Sequence, residues 1–379
     1  MKRSHIDWIL FLAVAGLMLF SVAFVYSASA YFADVKFGST ERLFLNHTIR
    51  VALGFVLMIV FARIDYHLWE KYSKVLLYAA LASLVFVLVG GMVIKGARRW
   101  INIGFLNFQP SELAKFALVI HLAAMLAEKK TYIKDFYRSF LPMMFWTGVV
   151  CFLIALQPNF STAAVIFGLS VLLMFIGNAN VLYLMGVIGA GVLGGGVYAL
   201  KAQYRLERLQ AFPQQFAGDF TESALRSMNY QLQQAILAFG NGGLLGVGPG
   251  QSRQRDWFLP ESYGDFIFSI IGEEYGYVGV LLIIACFSII LWRGFKIARA
   301  AQDDFGRYLA AGITLTFALY AIINMGVTSG LLPTTGLPLP FISYGGTAIL
   351  FSTIALGILL NISAHTDLTL RQPTTTSVP

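Results

Sequence analysis

The sequence predicts an all-α, polytopic membrane protein with about ten transmembrane helices. Of its 379 residues, 58% are hydrophobic and 12% are charged, whereas soluble domains are roughly 45–50% apolar and 25% charged. The mean hydropathy is +0.71, and so few charged side chains do not cover a water-exposed surface of this length. The two cysteines show no Cys-x-x-Cys spacing, which argues against a disulfide framework or a metal site. These observations exclude a water-soluble globular protein.

Ten apolar windows approach the roughly 20 residues that a helix needs to cross a bilayer. They run from Trp8 to Tyr31, Thr48 to Ala62, Val75 to Ile94, Ser111 to Ala127, Phe140 to Leu156, Ser161 to Ile176, Val181 to Leu200, Phe266 to Trp292, Tyr308 to Gly326 and Gly346 to Ser363. The first window is longer than the 7–15 residues of a signal-peptide core. We therefore expect a retained first span.

The distribution of positive charge predicts the topology. An even number of spans places both termini on one side of the membrane. The short loops from Arg63 to Lys74, from Glu128 to Arg138 and from Arg293 to Arg307 are rich in Lys and Arg, which indicates that this side is the cytoplasm. Residues 1–365 then form a single transmembrane domain with one large extracytoplasmic loop, 201–265, between helices 7 and 8. The tail, 366–379, is predicted to be cytoplasmic and disordered.

Positive charge on the predicted outer side is the more informative observation. Lys95, Arg98 and Arg99 crowd one short outer loop, and the long loop also carries cations, namely Lys201, Arg205, Arg208, Arg226, Arg253 and Arg255. The rule that positive charge stays on the cytoplasmic side does not hold for long loops, so the cations of the long loop need no functional explanation. The short loop does not have that exemption. Because arginine holds phosphate in a bidentate manner, the pattern favours an outer anionic ligand such as a lipid diphosphate.

The second half of the long loop contains an amphipathic stretch, Met228 to Phe239, followed by GNGGLLGVGPGQS. Backbone amides of such a glycine-rich run could hold a phosphate. The run lacks the order of a nucleotide-binding loop, however, and glycines in membrane proteins often serve only close packing.

Glu112 and Lys115 are ionisable residues at a depth where charge is costly. They follow Gln109-Pro110-Ser111, which is a helix-start signal, and their i, i+3 spacing puts both on one helix face. One interpretation is a functional site in which Lys115 lies near Asp265 and lowers the pKa of its carboxyl. The other is a buried ion pair that fixes one helix against another.

Four carboxylates occur in FLPESYGDFIFSIIGEEYG. Glu261 and Asp265 fall at the outer mouth of the eighth span, where partial desolvation and a nearby cation can adjust the pKa of a general base. Alternatively, they are acids that favour a helix N-terminus. Glu273 and Glu274 fall inside the apolar run and could form the proton or ion relay of a transporter.

The segment GLLPTTGLPLPFISYGG precedes the last span and is rich in proline. Irregular backbone at membrane depth is tolerated only where it is buried in protein or lines a cavity. We therefore expect this segment to form part of a site wall.

Four strings occur in a fixed order along the chain: KGARRWINIGFLNFQPSELAKFA, YQLQQAILAFGNGGLLGVGPG, FLPESYGDFIFSIIGEEYG and INMGVTSGLLPTTGLPLPFISYGG. They resemble the SEDS family (shape, elongation, division and sporulation), and the resemblance covers all ten predicted spans. It implies a ten-helix glycosyltransferase that polymerises lipid II, an undecaprenyl-diphosphate disaccharide-pentapeptide, into glycan strands outside the bacterial cytoplasmic membrane. Two short strings, GARRWI and the TTG before LPLPFISYGG, favour the cell-division branch over the elongation branch.

The resemblance also implies roles for individual residues. The catalytic aspartate of the family falls on Asp265. Substrate-binding residues fall on Glu112 and Lys115 in QPSELAK, on the basic pair Arg205 and Arg208, on Gln231 and Gln234 in YQLQQ, and on Glu261 in LPE. Arg98 and Arg99 complete the expected substrate-binding set, because the leaving diphosphate needs fixed positive charge.

The implied reaction is glycosyl transfer with inversion, with Asp265 as the base. A divalent cation, Mg²⁺ or Mn²⁺, could help to neutralise the diphosphate, but the sequence shows no metal-ligand spacing. The implied partners are a class B penicillin-binding transpeptidase and other membrane proteins of the division or elongation machinery, with no nucleic acid. A transporter that flips the same lipid and a non-catalytic scaffold remain as alternatives. The transporter needs charges along a path across the membrane, whereas the polymerase needs its carboxylate on the outer face.

Overall fold

The computed structural model describes residues 6–94, 97–104, 106–200, 229–259 and 262–366. In these residues the α-helices are α1 (Trp8–Phe37), α2 (Arg42–Arg63), α3 (His67–Lys71), α4 (Ser73–Gly90), α5 (Pro110–Glu128), α6 (Leu141–Leu156), α7 (Phe160–Ile176), α8 (Val181–Leu200), α9 (Asn229–Gly242), α10 (Arg253–Trp257), α11 (Ile267–Ala300), α12 (Asp304–Thr328) and α13 (Ala348–Ala364). A 3-10 turn (Lys130–Tyr132) and a π-helical turn (Phe136–Phe140) precede α6.

The predicted helical membrane fold is confirmed. Among the described residues, seven helices are long and apolar enough to cross a membrane, and three shorter apolar helices fall in the other predicted spans. That the three shorter helices also cross the membrane, which would make ten spans, stays a prediction. α5 and α12 are the most enclosed of the long helices, so side chains on these two helices lie inside the bundle.

α2 packs lengthwise against α13, and two glycines bring the helices close. A Cβ atom at Gly54 would lie 3.1 Å from Thr353 Cγ2, and one at Gly357 would lie 2.6 Å from the Met58 carbonyl oxygen. Small residues at such positions let membrane helices gain van der Waals contact in place of a hydrophobic driving force.

A small antiparallel sheet follows α4 and was not predicted. Its strands are β1 (Met92–Ile94), β2 (Ala97–Ile103) and β3 (Leu106–Phe108), in the order β1-β2-β3. The third predicted span was therefore too long, because α4 ends at Gly90 and Gly91 is extended (φ −74°, ψ 151°). Val and Ile in the following residues suit a strand.

α11 is broken at Gly276, which has φ 63° and ψ −160°. The glycine-rich segment 243–248 fills the break: its amides donate to the carbonyl oxygens of Glu273 and Glu274, at 2.9 and 3.0 Å. A Cβ atom at Gly276 would overlap the backbone of Gly246. The glycines of this segment therefore allow close backbone packing, which is the second of the two interpretations that its sequence leaves open.

The two ends of the bundle are distinguished here as the Asp265 end and the His365 end. At the first, Phe32 near the end of α1 contacts the ring of Tyr263, with ring centroids 5.2 Å apart. At the second, Tyr66 contacts His365, with centroids 5.7 Å apart. α2 begins at the Asp265 end and finishes at the His365 end.

Candidate active site

Asp265 lies in the turn before α11, at the wall of a cavity of about 100 Å³. The other lining residues come from this turn, α9, α12 and the segment after α12: Gln231, Phe266, Asn324, Val327, Thr334, Thr335, Gly336 and Leu337. Gly336 has φ +71°, and a Cβ atom there would lie 3.2 Å from Asp265 Oδ2. The structure thus brings Asp265 and Gln231 to one cavity, and glycine at 336 keeps space beside the carboxylate.

Side chains of α12 and of the proline-rich segment hold the backbone of this turn. Asn324 Nδ2 donates to the carbonyl oxygens of Asp265 and Leu337, both at 2.8 Å. Ser343 Oγ donates to the carbonyl oxygen of Gly264, at 2.8 Å. The position of Asp265 is therefore fixed against two separate elements. Asn324 was not among the predicted site residues, although a polar amide inside the ninth predicted span was a signal for it.

Glu112 and Lys115 form a buried ion pair on α5. Lys115 Nζ lies 2.7 Å from Glu112 Oε2, and both side chains are about 95% buried. Lys115 Nζ also lies 4.1 Å from the centroid of the Tyr320 ring, which favours a cation. The functional interpretation had expected Lys115 to lie near Asp265. In the structure its ion-pair partner is Glu112 instead. The i, i+3 spacing is the physical reason, since it puts the two charges within contact on one helix face.

The Glu112–Lys115 pair lines a second, smaller cavity of about 20 Å³. The proline-rich segment separates it from the Asp265 cavity: Leu337 faces the first and Pro338 the second. The sequence predicts that this segment forms part of a site wall, and in the structure it lines both cavities, with the ion pair on the far side of this shared wall.

Arg98 and Arg99 lie on β2 at the Asp265 end. Arg98 is exposed, with its Nη1 3.4 and 3.5 Å from the carbonyl oxygens of Leu88 and Val89. Arg99 Nε donates to the carbonyl oxygen of Gln157 at 3.0 Å, and its Nη2 donates to that of Pro158. Arg99 therefore ties the sheet to the α6–α7 connection, a role that the sequence analysis did not foresee.

The other predicted site residues are less defined. Gln234 lies on α9 one turn after Gln231, is half-buried and does not line the Asp265 cavity. Arg205, Arg208 and Glu261 lie outside the described residues, so their predicted substrate contacts stay predictions.

Glu273 and Glu274 are enclosed by local partners. Glu273 accepts hydrogen bonds from Asn241 Nδ2, at 3.2 Å, and from Ser252 Oγ. Glu274 accepts a hydrogen bond from Ser27 and lies 3.5 Å from Arg255 Nη1. These bonds fasten α9, α10 and α1 to α11. The arrangement gives both carboxylates a structural role, which accounts for their burial without the relay of the transporter interpretation.

Among the described residues, no group of three or more His, Cys, Asp or Glu side chains could hold a metal ion. Mg²⁺ is usually held by one or two carboxylates together with substrate phosphates and water, so the metal expectation stays a prediction.

The sequence model of the FtsW, RodA and SpoVE family, described as "Cell cycle protein", matches residues 7–368. The chain belongs to this family. This match confirms the resemblance carried by the four sequence strings, and it covers almost the whole chain.

Individual members of the FtsW/RodA/SpoVE family are similar over nearly their full length. The "Probable peptidoglycan glycosyltransferase FtsW" of Trichlorobacter lovleyi is 40% identical over 366 residues, which cover 96% of this chain and 94% of that protein. Stage V sporulation protein E of Bacillus subtilis is 37% identical, with coverage of 96% and 98%.

Solved structures of the family share the fold. A chain from a peptidoglycan synthase complex, studied for the coordination of polymerization and crosslinking, matches with a TM-score of 0.77 and 27% identity, and the match covers 94% of this chain and 97% of that one. The rod shape determining protein RodA of Thermus thermophilus matches with a TM-score of 0.68 and 25% identity, with coverage of 94% and 96%.

Proposed function

We propose that this protein is a peptidoglycan glycosyltransferase that polymerises lipid II into glycan strands. The observation that carries the proposal is Asp265, which borders a cavity of about 100 Å³ while its own backbone is held by Asn324. The names of the similar FtsW proteins and of the similar synthase complex support the same activity. A base must be positioned before it can take a proton efficiently, and this turn is fastened for that purpose.

In the proposed reaction, Asp265 accepts the proton of the 4-hydroxyl group of one disaccharide unit. The hydroxyl oxygen attacks the anomeric carbon of a second unit, and the bond from that carbon to the diphosphate breaks. The bonding electrons leave with the lipid diphosphate, and the configuration of the anomeric carbon inverts. Asp265 ends the step protonated and returns its proton to water.

Fixed cations stabilise the charge that grows on the leaving diphosphate. We assign this role to Arg98 and Arg99, and to Arg205 and Arg208 in the long loop. The contacts of Arg99 with backbone carbonyl oxygens orient its guanidinium group in advance. Gln231, Gln234 and Glu261 are proposed to contact the sugar units, while Glu112 and Lys115 shape the wall behind the site.

The chain is a multi-pass membrane protein. We propose that it resides in the bacterial cytoplasmic membrane with the Asp265 end outward, because the loops of the other end are rich in Lys and Arg. We also propose a class B penicillin-binding transpeptidase as partner, which is supported by the similarity to a chain of a peptidoglycan synthase complex. The relatives named FtsW favour a role in cell division.

The test is polymerisation of lipid II by the purified full chain in detergent. A detergent micelle does not separate two aqueous compartments, so lipid transport has no meaning there. A polymerase makes glycan chains in this assay, whereas a transporter or a scaffold makes none. A parallel assay measures movement of labelled lipid II across vesicles that contain the protein. Lipid movement in vesicles combined with no chains in detergent contradicts the proposal and supports the transporter.

A further inference from the structure

Arg50 is a buried cation in the membrane-spanning helix α2. It lies on the buried face of that helix, with 9% of its surface exposed. Eight residues separate it from Arg42 at the start of α2, which corresponds to a depth of about 12 Å at 1.5 Å per residue. Arg50 therefore lies inside the bundle, below the Asp265 end.

Within the part of the chain that the structure describes, the guanidinium group of Arg50 has no counterion. Its Nη1 atom has no hydrogen-bond partner there. Its Cζ atom lies over the ring of Tyr344, 5.0 Å from the centroid. The adjacent His47 is fully buried, and its Nδ1 atom also lacks a partner.

The other cations that are similarly buried differ from Arg50. Among the described residues these are Lys115 and Arg293. Lys115 lies 2.7 Å from Glu112, and Arg293 lies 2.6 Å from Asp7. A buried charge without a partner is costly, and ionisable groups within membrane segments normally pair or face a ligand path. Among the described residues, only the Tyr344 ring offsets this cost for Arg50.

We propose that Arg50, held against Tyr344, forms an anion-binding subsite for the phosphate or diphosphate group of a membrane lipid. A guanidinium group presents a planar fork that matches phosphate oxygens, and the contact with the Tyr344 ring restricts its position. A lipid-linked phosphate reaches this depth along its own hydrocarbon chain. A free anion must lose its hydration to arrive there.

The subsite is adjacent to the turn that carries Asp265. The Tyr344 amide donates to the carbonyl oxygen of Tyr263 at 2.9 Å, and the two rings meet edge to face with centroids 5.6 Å apart. Arg50 thus lies behind Tyr344 on the α2 side of the turn, whereas the Glu112–Lys115 pair lies on the α5 side. A phosphate bound at Arg50 would therefore approach the turn from the α2 side, whereas the predicted cations Arg98 and Arg99 lie on β2.

The test measures ligand binding by the full chain in detergent. Each probe is titrated, and binding is read from the rise in the thermal unfolding midpoint of the protein. The probes are a polyprenyl diphosphate, phosphatidylglycerol and inorganic pyrophosphate. The choice of the first probe rests on the proposed function, but binding is read without turnover, so a failure of polymerisation leaves this test intact. The variants are Arg50→Gln and Arg50→Lys, with Arg42→Gln as the control, because Arg42 is exposed on the same helix and rests on the Phe37 ring.

We expect Arg50→Gln to weaken binding of at least one probe by roughly 10- to 100-fold, the range of one hydrogen bond to a charged group. Arg42→Gln should bind like the wild type. The probe that depends on Arg50 identifies the source of the phosphate group. If Arg50→Gln does not fold, Arg50→Lys is tested instead. Lysine keeps the positive charge but lacks the planar, two-pronged guanidinium group, so this variant should bind the probe several-fold more weakly than the wild type. Unchanged affinities for all three probes in the Arg50 variants would overturn the proposal.

Discussion

The surroundings of Asp265, just before α11, differ from those of Glu273 and Glu274 in the first part of that helix. Asp265 borders an open cavity of about 100 Å³. Glu273 and Glu274 are 1% and 2% exposed, and side chains of three other helices enclose them. The comparison teaches that burial of a carboxylate at membrane depth does not by itself mark a functional site. Space for a ligand beside the carboxylate separates the functional case from the structural one.

Glu112 is the hardest case for this comparison, because it has a full ion-pair partner and yet lines a cavity next to that of Asp265. We expect Glu112→Gln and Lys115→Met, made singly, each to lower the unfolding free energy by about 3–5 kcal/mol, because each leaves one buried charge unpaired. The double variant should recover both stability and polymerisation. Thermal melts and polymerisation assays on the three variants check this. A stable double variant without activity would place the pair in the catalytic machinery.

Glu273 tests the other side of the comparison. Glu273→Gln replaces one acceptor oxygen with an amide donor opposite Ser252 and Asn241, so we expect a loss of about 1–3 kcal/mol in stability. Polymerisation per folded molecule should stay within a few-fold of the wild type. The exposed Glu41→Gln provides the matched control. Normal stability with abolished activity would assign Glu273 a chemical role and remove the distinction.

Gly336 sharpens the claim that space beside Asp265 matters. Gly336→Ala and Gly38→Ala both put a side chain at positive φ, +71° and +66°, but a Cβ atom at 38 meets nothing within 4 Å. Both should lose about 1–2 kcal/mol of stability from the backbone conformation. Only Gly336→Ala should also slow polymerisation, by roughly tenfold, because its methyl group displaces the Asp265 carboxylate. Equal activity in the two variants would show that this space is not used.

The sequence predicted the membrane fold and a site wall in the proline-rich segment, and the family resemblance implied site roles for Asp265 and Gln231, which the structure brings to one cavity. Apolar windows are a direct consequence of the bilayer, because every spanning helix must bury its backbone in hydrocarbon. The carboxylate and the irregular segment were visible because both are unusual at membrane depth.

Other features could not be predicted because they depend on contacts between distant parts of the chain. The break at Gly276 is filled by a segment some 30 residues earlier, and the role of Asn324 depends on two carbonyl oxygens that only the folded chain brings together. Arg99 reaches carbonyl oxygens 58 and 59 residues away. Arg50 was visible as a charge in the second predicted span, but its lack of a counterion among the described residues is a property of the packed bundle.

The most direct measurement of the central claim compares Asp265→Asn with Asp34→Asn. Asp34 is an exposed aspartate near the same end of the bundle, so the two substitutions remove the same charge in the presence and absence of the cavity. Polymerisation of lipid II by Asp265→Asn should fall by about 10²–10⁴-fold, the typical contribution of a general base, with an unchanged melting temperature, whereas Asp34→Asn should retain full activity. Near-normal glycan synthesis by a folded Asp265→Asn protein would contradict the account.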